Sequence, residues 1–170
     1  MSDPRHHLAQ FNVGRLTAPL DDPSMEGFSS QIDAVNQLAE HAPGFVWRLV
    51  EEGKEDATGL RPFGDSYLVN YSVWEDVESL WNFTYRTDHL ALLRGRRQWF
   101  ERMDTAHLVL WWFPSDNIPS VEEAGRRLDL LREHGPTPEA FTLRTPFPPP
   151  SDLPRPTSVQ PSGASTSPNP

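Results

Sequence analysis

The stretch HLAQFNVGRLTAPLDDP, residues 7–23, shows how the fold begins, because a strand pattern in it gives way to a helix start. Its first ten residues alternate, as a β-strand requires, and predict a strand over residues 7–16. The two predicted faces carry His7, Ala9, Phe11 and Val13 on one side and Leu8, Gln10, Asn12 and Gly14 on the other. Asp22 followed by Pro23 is typical of a helix N-terminus, since Asp can cap the first turn and Pro fits within it. We expect this helix to end at the His-Ala-Pro-Gly run of residues 41–44.

The segments that follow continue as alternating strands and helices. Strands are predicted over residues 45–52, 66–74, 106–114 and, as a short last strand, 141–145. Helices are predicted over residues 76–86, from Thr87 or Asp88 to about Met103, and from the capping box at 120–123 to Glu133. The first six elements have the order β-α-β-β-α-β, which is the ferredoxin-like pattern. We therefore predict an α+β fold, with an antiparallel sheet that carries helices on one face.

The other face of this sheet would also need cover. The predicted strands carry large side chains on both faces, with Trp47, Tyr71, Trp111 and Trp112 among them. Exposed apolar faces of this kind are usually covered by a partner. We therefore predict a homodimer in which two sheets close into a barrel.

Composition and charge exclude several classes of protein. The net charge is -9, so nucleic acid is not an expected partner, because phosphate binding needs a basic surface. The chain has no cysteine, which excludes disulfides, thiolate catalysis and cysteine-ligated metals. No apolar run approaches the roughly 20 residues that span a bilayer, and the N-terminus has no apolar signal core. We expect a cytoplasmic protein with no membrane partner.

The uneven distribution of proline predicts one domain and a tail. Residues 147–170 are rich in Pro and Ser and nearly free of apolar side chains, so burial there cannot offset the entropy of ordering. We predict a folded barrel domain over residues 5–146 and a disordered Pro/Ser-rich tail over residues 147–170.

Several motifs together resemble a known family. APLDDP followed by PGFVWRL, then NYSVWEDVESLWNFTYRTDH and LWWFP, are similar to the sequences of domain of unknown function 3291 over about residues 6–145. That family resembles the dimeric α+β barrel superfamily, whose relatives include small antibiotic-biosynthesis-type monooxygenases, haem-degrading enzymes, chlorite-dismutase-like proteins and stress-response barrels. The resemblance implies a dimeric α+β barrel that acts on or binds a small molecule. It supplies no set of catalytic residues.

The predicted strands carry polar groups among apolar ones, namely Gln10, Asn12, Arg48, Asn70, Ser72 and His107. A buried amide or guanidinium without a hydrogen bond costs about 1–3 kcal/mol, so these groups either satisfy one another or meet a ligand. A mostly apolar cavity with a few polar groups is how small-ligand sites are built. We assign substrate binding to Asn12, Arg48, Asn70, Arg96 and Trp111.

His89 and Tyr85 are the candidate catalytic residues. His89 is expected to face inward, because it shares a helical stripe with Leu92, Leu93 and Arg96. Three interpretations stay open: His89 hydrogen-bonds nearby backbone or Tyr85; it is a general acid or base, with Tyr85 and Arg96 as neighbours; or His89 or His107 ligates haem iron. No metal-binding motif of the H-E-x-x-H type is present, so no protein-only metal site is expected.

Two functions therefore compete. The first is a monooxygenase-like enzyme that needs no dedicated cofactor and acts on an aromatic or polyketide-like substrate. The second is a barrel without catalysis that binds haem or a hydrophobic ligand. Cofactor-free oxygenation needs only a substrate that forms a stabilised carbanion, a base, and a site that excludes water.

Overall fold

The computed structural model describes residues 6–150, which form four strands and five helices. The strands are β1 (His6–Arg15), β2 (Phe45–Arg48), β3 (Tyr67–Trp74) and β4 (Leu108–Pro114). The helices are α1 (Glu26–Ser29), α2 (Ile32–Glu40), α3 (Val77–Arg86), α4 (His89–Gly95) and α5 (Val121–His134). Across this range, no helix is long and apolar enough to cross a membrane.

The four strands form one sheet in the order β2-β3-β1-β4, and every neighbouring pair is antiparallel. This order follows when each helical crossover skips one strand, which is the split βαβ arrangement. The predicted ferredoxin-like sheet is therefore confirmed. The register sets Gln10 opposite Ser72 and Asn12 opposite Asn70, so the polar groups of β1 and β3 lie side by side.

The first helical segment begins where the sequence predicts but is divided. Asp22 caps it, with its carboxylate accepting from the backbone N–H of Ser24 at 2.9 Å. A 3-10 turn over Pro23–Met25 leads into α1, and α2 starts only at Ile32. Gly and Ser are poor helix formers, and Gly27, Ser29 and Ser30 crowd the place where the single predicted helix divides.

Helix α4 ends earlier than the prediction of about Met103. After Gly95 the chain makes a 3-10 turn and pairs with the end of β1 instead. Thr17 donates its backbone N–H to Trp99 at 2.9 Å, and Glu101 donates to Arg15 at 2.8 Å. These backbone bonds to β1 replace the helical ones, so tertiary pairing overrides the local helical pattern.

The helices of the ferredoxin-like unit lie on one face of the sheet, and the added helix lies on the other. Helices α2 and α3 pack on the even-numbered side of β1 and β4, through Ala39, Leu80 and Phe83. Helix α5 packs its Ala124, Leu128 and Leu131 against the odd-numbered side. The large side chains of that second face are therefore covered within one chain, with Trp111 fully buried. Their burial requires no second subunit. The homodimer therefore stays a prediction that the need to cover this face no longer supports.

The C-terminal segment returns to the sheet beside β4. Residues 141–145, predicted as a strand, contribute only one bridge, in which Phe141 exchanges backbone hydrogen bonds with Leu110. Phe147 packs on Phe141, with ring centroids 5.7 Å apart, and its carbonyl accepts from Trp112 Nε1 at 2.8 Å. The ordered packing thus reaches the first residue of the predicted tail, and residues 151–170 of that tail lie outside the described residues.

Candidate functional site

A cavity of about 240 Å³ lies between the even-numbered face of the sheet and helices α2, α3 and α4. Aromatic side chains form much of its wall, from Phe28, Phe45, Trp74, Phe83, Trp99 and Phe100. The polar side chains enter it from β1, β2, β3 and α4. An apolar cavity with a few convergent polar groups is the usual form of a small-molecule site.

A hydrogen-bonded chain of three side chains crosses the cavity floor. Trp74 donates its indole Nε1–H to Ser72 Oγ at 2.9 Å, and Ser72 donates to Gln10 Oε1 at 2.9 Å. An indole N–H can only donate, so the serine keeps one proton, which it gives to the amide oxygen. This direction leaves both N–H groups of Gln10 Nε2 free of any partner among residues 6–150, on a side chain that lines the cavity. Gln10 therefore offers a fixed donor to a ligand.

His89 lies at the start of α4, on the cavity wall. Its ring packs on Phe83 with centroids 4.9 Å apart, and Nδ1 makes a long contact of 3.4 Å to the carbonyl of Thr84. A carbonyl oxygen only accepts, so Nδ1 carries the proton and Nε2 keeps a lone pair. Burial lowers the pKa of His89, and the bond to Thr84 opposes that shift. The imidazole is thus neutral near pH 7 and can accept a proton at Nε2.

Arg96 and His107 form a second polar group in the same cavity. Arg96 Nη1 donates to His107 Nε2 at 3.2 Å. The pKa of His107 is lowered by burial and then by the positive charge of Arg96, while a backbone bond to Thr105 opposes the shift. His107 is therefore a neutral acceptor that holds the guanidinium in place. The predicted proximity of Arg96 to a histidine is real, but the histidine that it contacts is His107.

The other polar residues predicted to bind substrate differ in how free they are. Asn12 and Asn70 both line the cavity, face each other across β1 and β3, and make no side-chain hydrogen bond within the described part of the chain. Arg48 also lines the cavity, but its Nε pairs with Glu40 at 2.7 Å and its Nη2 donates to the carbonyl of Glu55 at 2.7 Å. The guanidinium of Arg48 is thus largely used in joining β2 to α2 and the following loop.

Two predicted site residues lie outside this cavity. Trp111 is 0% exposed on the opposite face of the sheet, where it stacks on Tyr71 under the layer that contains α5. Tyr85 is 40% exposed and packs on Trp81, with centroids 4.5 Å apart, on the outer side of α3. Of the seven residues proposed from the sequence, the cavity brings together Asn12, Arg48, Asn70, His89 and Arg96.

Gln10, Ser72 and His107 are among the polar strand residues noted in the sequence, and His107 was weighed as a haem ligand, but neither these three residues nor Trp74 was assigned to the binding site. Gln10, Ser72 and His107 carried a usable signal, because each is a polar side chain on or beside a strand that otherwise carries apolar groups. Trp74 carried none, since an indole in a strand reads as core. Trp74 donates to Ser72 within the same strand, and this pair reaches Gln10 only through the register of β3 against β1, which no local pattern gives.

The cavity does not fit the haem considered from the sequence. Pockets that enclose drug-sized ligands span roughly 300–1,000 Å³, and a porphyrin is larger than such ligands. The 240 Å³ between the sheet and the helices therefore cannot enclose it. Within the described residues, no cluster of three or more His, Asp or Glu side chains could hold a metal ion.

The fold is a ferredoxin-like α+β fold with a cavity between the sheet and the helices. The chain belongs to the family described as domain of unknown function (DUF3291), whose model matches residues 7–156. The family predicted from the sequence motifs is thus confirmed. No curated protein matches the chain significantly.

Among solved structures, the chain is similar to SnoaB, a cofactor-independent oxygenase from Streptomyces nogalater, at 15% identity and a TM-score of 0.44, over 66% of this chain and 95% of SnoaB. It is also similar to NE2512, a protein of unknown function from Nitrosomonas europaea, at 13% identity and a TM-score of 0.44, over 69% of this chain and 99% of NE2512. MupZ from Pseudomonas fluorescens is 15% identical with a TM-score of 0.39, over 90% and 96%. Identities and TM-scores this low assign no function to this chain.

Proposed function

We propose that this protein is a monooxygenase-like enzyme without a dedicated cofactor, which removes a proton from an aromatic substrate in the cavity so that the resulting anion reacts with O₂. The observation that carries the proposal is His89, a neutral imidazole whose Nε2 has no partner among residues 6–150 and which lines an aromatic cavity. Proton abstraction from carbon requires a base whose pKa lies near the working pH and a site that excludes water.

The chemistry needs two contributions from the protein. His89 would take the proton, and a donor would stabilise the oxygen on which the negative charge gathers. Gln10 supplies such a donor, because the bonds from Trp74 through Ser72 fix its amide before the substrate arrives. In the overall reaction a CH₂ group becomes a carbonyl: one oxygen atom of O₂ enters the substrate, the other leaves as water, and the substrate supplies the electrons.

The size of the cavity narrows the substrate class. A volume of about 240 Å³ suits an aromatic with one or two rings better than an extended polyketide. The aromatic side chains in the wall can pack on the faces and edges of such rings. We therefore place small aromatic carbon acids ahead of large polycyclic ones.

The test is the replacement His89→Gln, which keeps a polar side chain but removes the base. O₂ uptake would be measured with a panel of one-ring and two-ring aromatic carbon acids. With a substrate that the unmodified protein turns over, we expect the rate to fall by a factor on the order of 10²–10⁴ while the substrate still binds.

His41→Gln is the matched control, because His41 is exposed and bonds only to the carbonyl of Gln37 at 2.7 Å on the outer side of α2. This variant should keep full activity. Turnover that survives His89→Gln would remove the proposed base. Tight binding of aromatics by the unmodified protein without any O₂ uptake would favour the alternative, a barrel that binds a hydrophobic ligand and does no chemistry.

A further inference from the structure

Arg96 is a half-buried cation in the cavity wall, and its charge has no counter-ion among residues 6–150. No carboxylate between residues 6 and 150 lies within ion-pair distance of its guanidinium, and its side-chain partner there is the neutral ring of His107. Taking a charge partly out of water is costly unless it is paired. A ligand that brings a negative charge would remove that cost.

The other charged groups of the cavity wall are already satisfied. Arg48 pairs with Glu40, and the Oδ1 of Asp56 accepts from the backbone and hydroxyl of Thr58 at 2.9 and 2.6 Å. Of the two arginines in the cavity wall, Arg96 is the one whose guanidinium has no carboxylate partner among residues 6–150. The chain as a whole carries a charge of -9, so a cation in the cavity wall without a carboxylate partner among the described residues is a local exception that favours an anion there.

His89 begins α4 and Arg96 directly follows its last residue, so the two lie at opposite ends of this helix along the cavity. They are seven residues apart, so the helical rise separates their backbones by roughly 10 Å. Leu92 and Leu93 line the cavity between them. On the sheet side, Val13 donates its backbone N–H to the His107 carbonyl at 2.9 Å, which puts the Arg96–His107 pair beside the end of β1 that carries Asn12.

We infer that the cavity takes small aromatic acids: an oxyanion group, a carboxylate in the simplest case, is bound by Arg96, the ring packs on the apolar middle, and the acidic C–H group lies at the His89 end. Only one part of this inference, the position of the acidic C–H group at the His89 end, rests on the proposed function. The anion site at Arg96 stands on the charge and geometry of the cavity wall. His107 is a positioning residue in this arrangement, because it holds the guanidinium through one N–H and leaves the others for the ligand.

The experiment compares 2-naphthoate with its neutral analogue 2-naphthamide, using calorimetry and the fluorescence of the cavity residues Trp74 and Trp99. A charge-assisted contact should make the naphthoate bind more tightly by a factor on the order of 10. Arg96→Met should abolish that preference, because it should weaken the binding of naphthoate far more than that of naphthamide, whose carbonyl accepts only a neutral-acceptor hydrogen bond. Arg96→Lys keeps the charge and should keep part of the preference.

The matched control is Arg97→Met, which removes an exposed arginine one position along that does not line the cavity. It should leave both affinities unchanged. Equal affinities in the unmodified protein, a preference that survives Arg96→Met, or binding of neither compound would each overturn the inference. A preference for naphthoate that depends on Arg96, in a protein without O₂-dependent turnover, would support the anion site and refute the proposed oxygenase activity.

Discussion

At the scale of single residues, the buried chain from Trp74 through Ser72 to Gln10 carries both stability and site geometry. Ser72→Ala would leave the indole N–H of Trp74 and the amide oxygen of Gln10 without their partner. Leaving a buried polar group unsatisfied costs about 1–3 kcal/mol, so we expect a loss of unfolding free energy in that range. Urea unfolding followed by tryptophan fluorescence would measure it.

Ser66→Ala is the control for that experiment, because Ser66 is exposed and its hydroxyl makes no hydrogen bond within residues 6–150. Its unfolding free energy should stay within about 0.5 kcal/mol of the unmodified value. If Ser72→Ala proved equally neutral, the hydrogen-bonded chain would not be the means by which Gln10 is held.

The sequence predicts which residues line the cavity only where it also indicates the direction in which their side chains point. His89 and Arg96 were found because their helical stripe is mostly apolar, and a polar residue in such a stripe faces inward. The assignment of Trp111 to the substrate site put this residue on the wrong face of the sheet. Both faces of β4 carry aromatic side chains, and alternation alone does not indicate which face meets α2 and α3. The sequence predicts Tyr85 as a neighbour of His89, but helix α3 buries Leu80 and Phe83 and leaves Tyr85 exposed.

At the scale of elements, the junction between β1 and the segment after α4 depends on one small residue. A Cβ atom built on Gly14 would lie 2.6 Å from two ring atoms of Phe100, which shares the cavity wall. The ring would have to move, so we expect Gly14→Ala to destabilise the protein by about 1–3 kcal/mol, as overpacking usually does. Thermal unfolding would measure this loss.

The double variant Gly14→Ala with Phe100→Leu separates crowding from other effects of the alanine. If the clash with the ring is the cause, the double variant should be more stable than the sum of the two single changes predicts. Strict additivity would show that Gly14 is required for another reason.

The elements themselves were predictable because hydrophobic period and caps are local signals. The caps of Asp22 and Ser120 are found where the sequence predicts, with Ser120 Oγ accepting from the backbone N–H of Glu123 at 3.2 Å. The end of α4 was not predictable, because the chain leaves the helix there to pair with β1, a segment about 80 residues earlier. Such long-range pairing leaves no trace in the local pattern.

At the scale of the whole molecule, α5 removes the need for a second subunit to cover the sheet. The strands carry large side chains on both faces, and from the sequence alone a second subunit was the simplest cover. The added helix instead covers the odd-numbered face within the chain, so Phe11 and Trp111 are 0% exposed in the monomer. The odd-numbered face could be covered either by a second subunit or by a helix outside the ferredoxin-like unit. The sequence of α5 shows that this helix has an apolar side, but it does not show where the helix docks.

The stability of the whole molecule should fall as the pH drops below about 6.5, because both cavity histidines are neutral in the folded state. Burial is the largest cause that lowers the pKa of His89 and of His107. Between the folded and unfolded pKa values the unfolded chain binds more protons, so the contribution is complete above the unfolded value and is lost as the pH falls through the folded value. Each histidine can give a slope of at most about 1.4 kcal/mol per pH unit.

Urea unfolding at pH 7.5 and pH 5.5 isolates this effect from the carboxylates whose pKa is lowered. Asp22 and Glu123 start from ordinary pKa values of 3.8 and 4.5, so they lose their charge in a lower range of pH. We expect the unmodified protein to be less stable at pH 5.5, and the double variant His89→Gln, His107→Gln to lose less stability over the same interval. An equal loss in both proteins would mean that other groups cause the pH dependence and that the two cavity histidines are not held neutral by the fold.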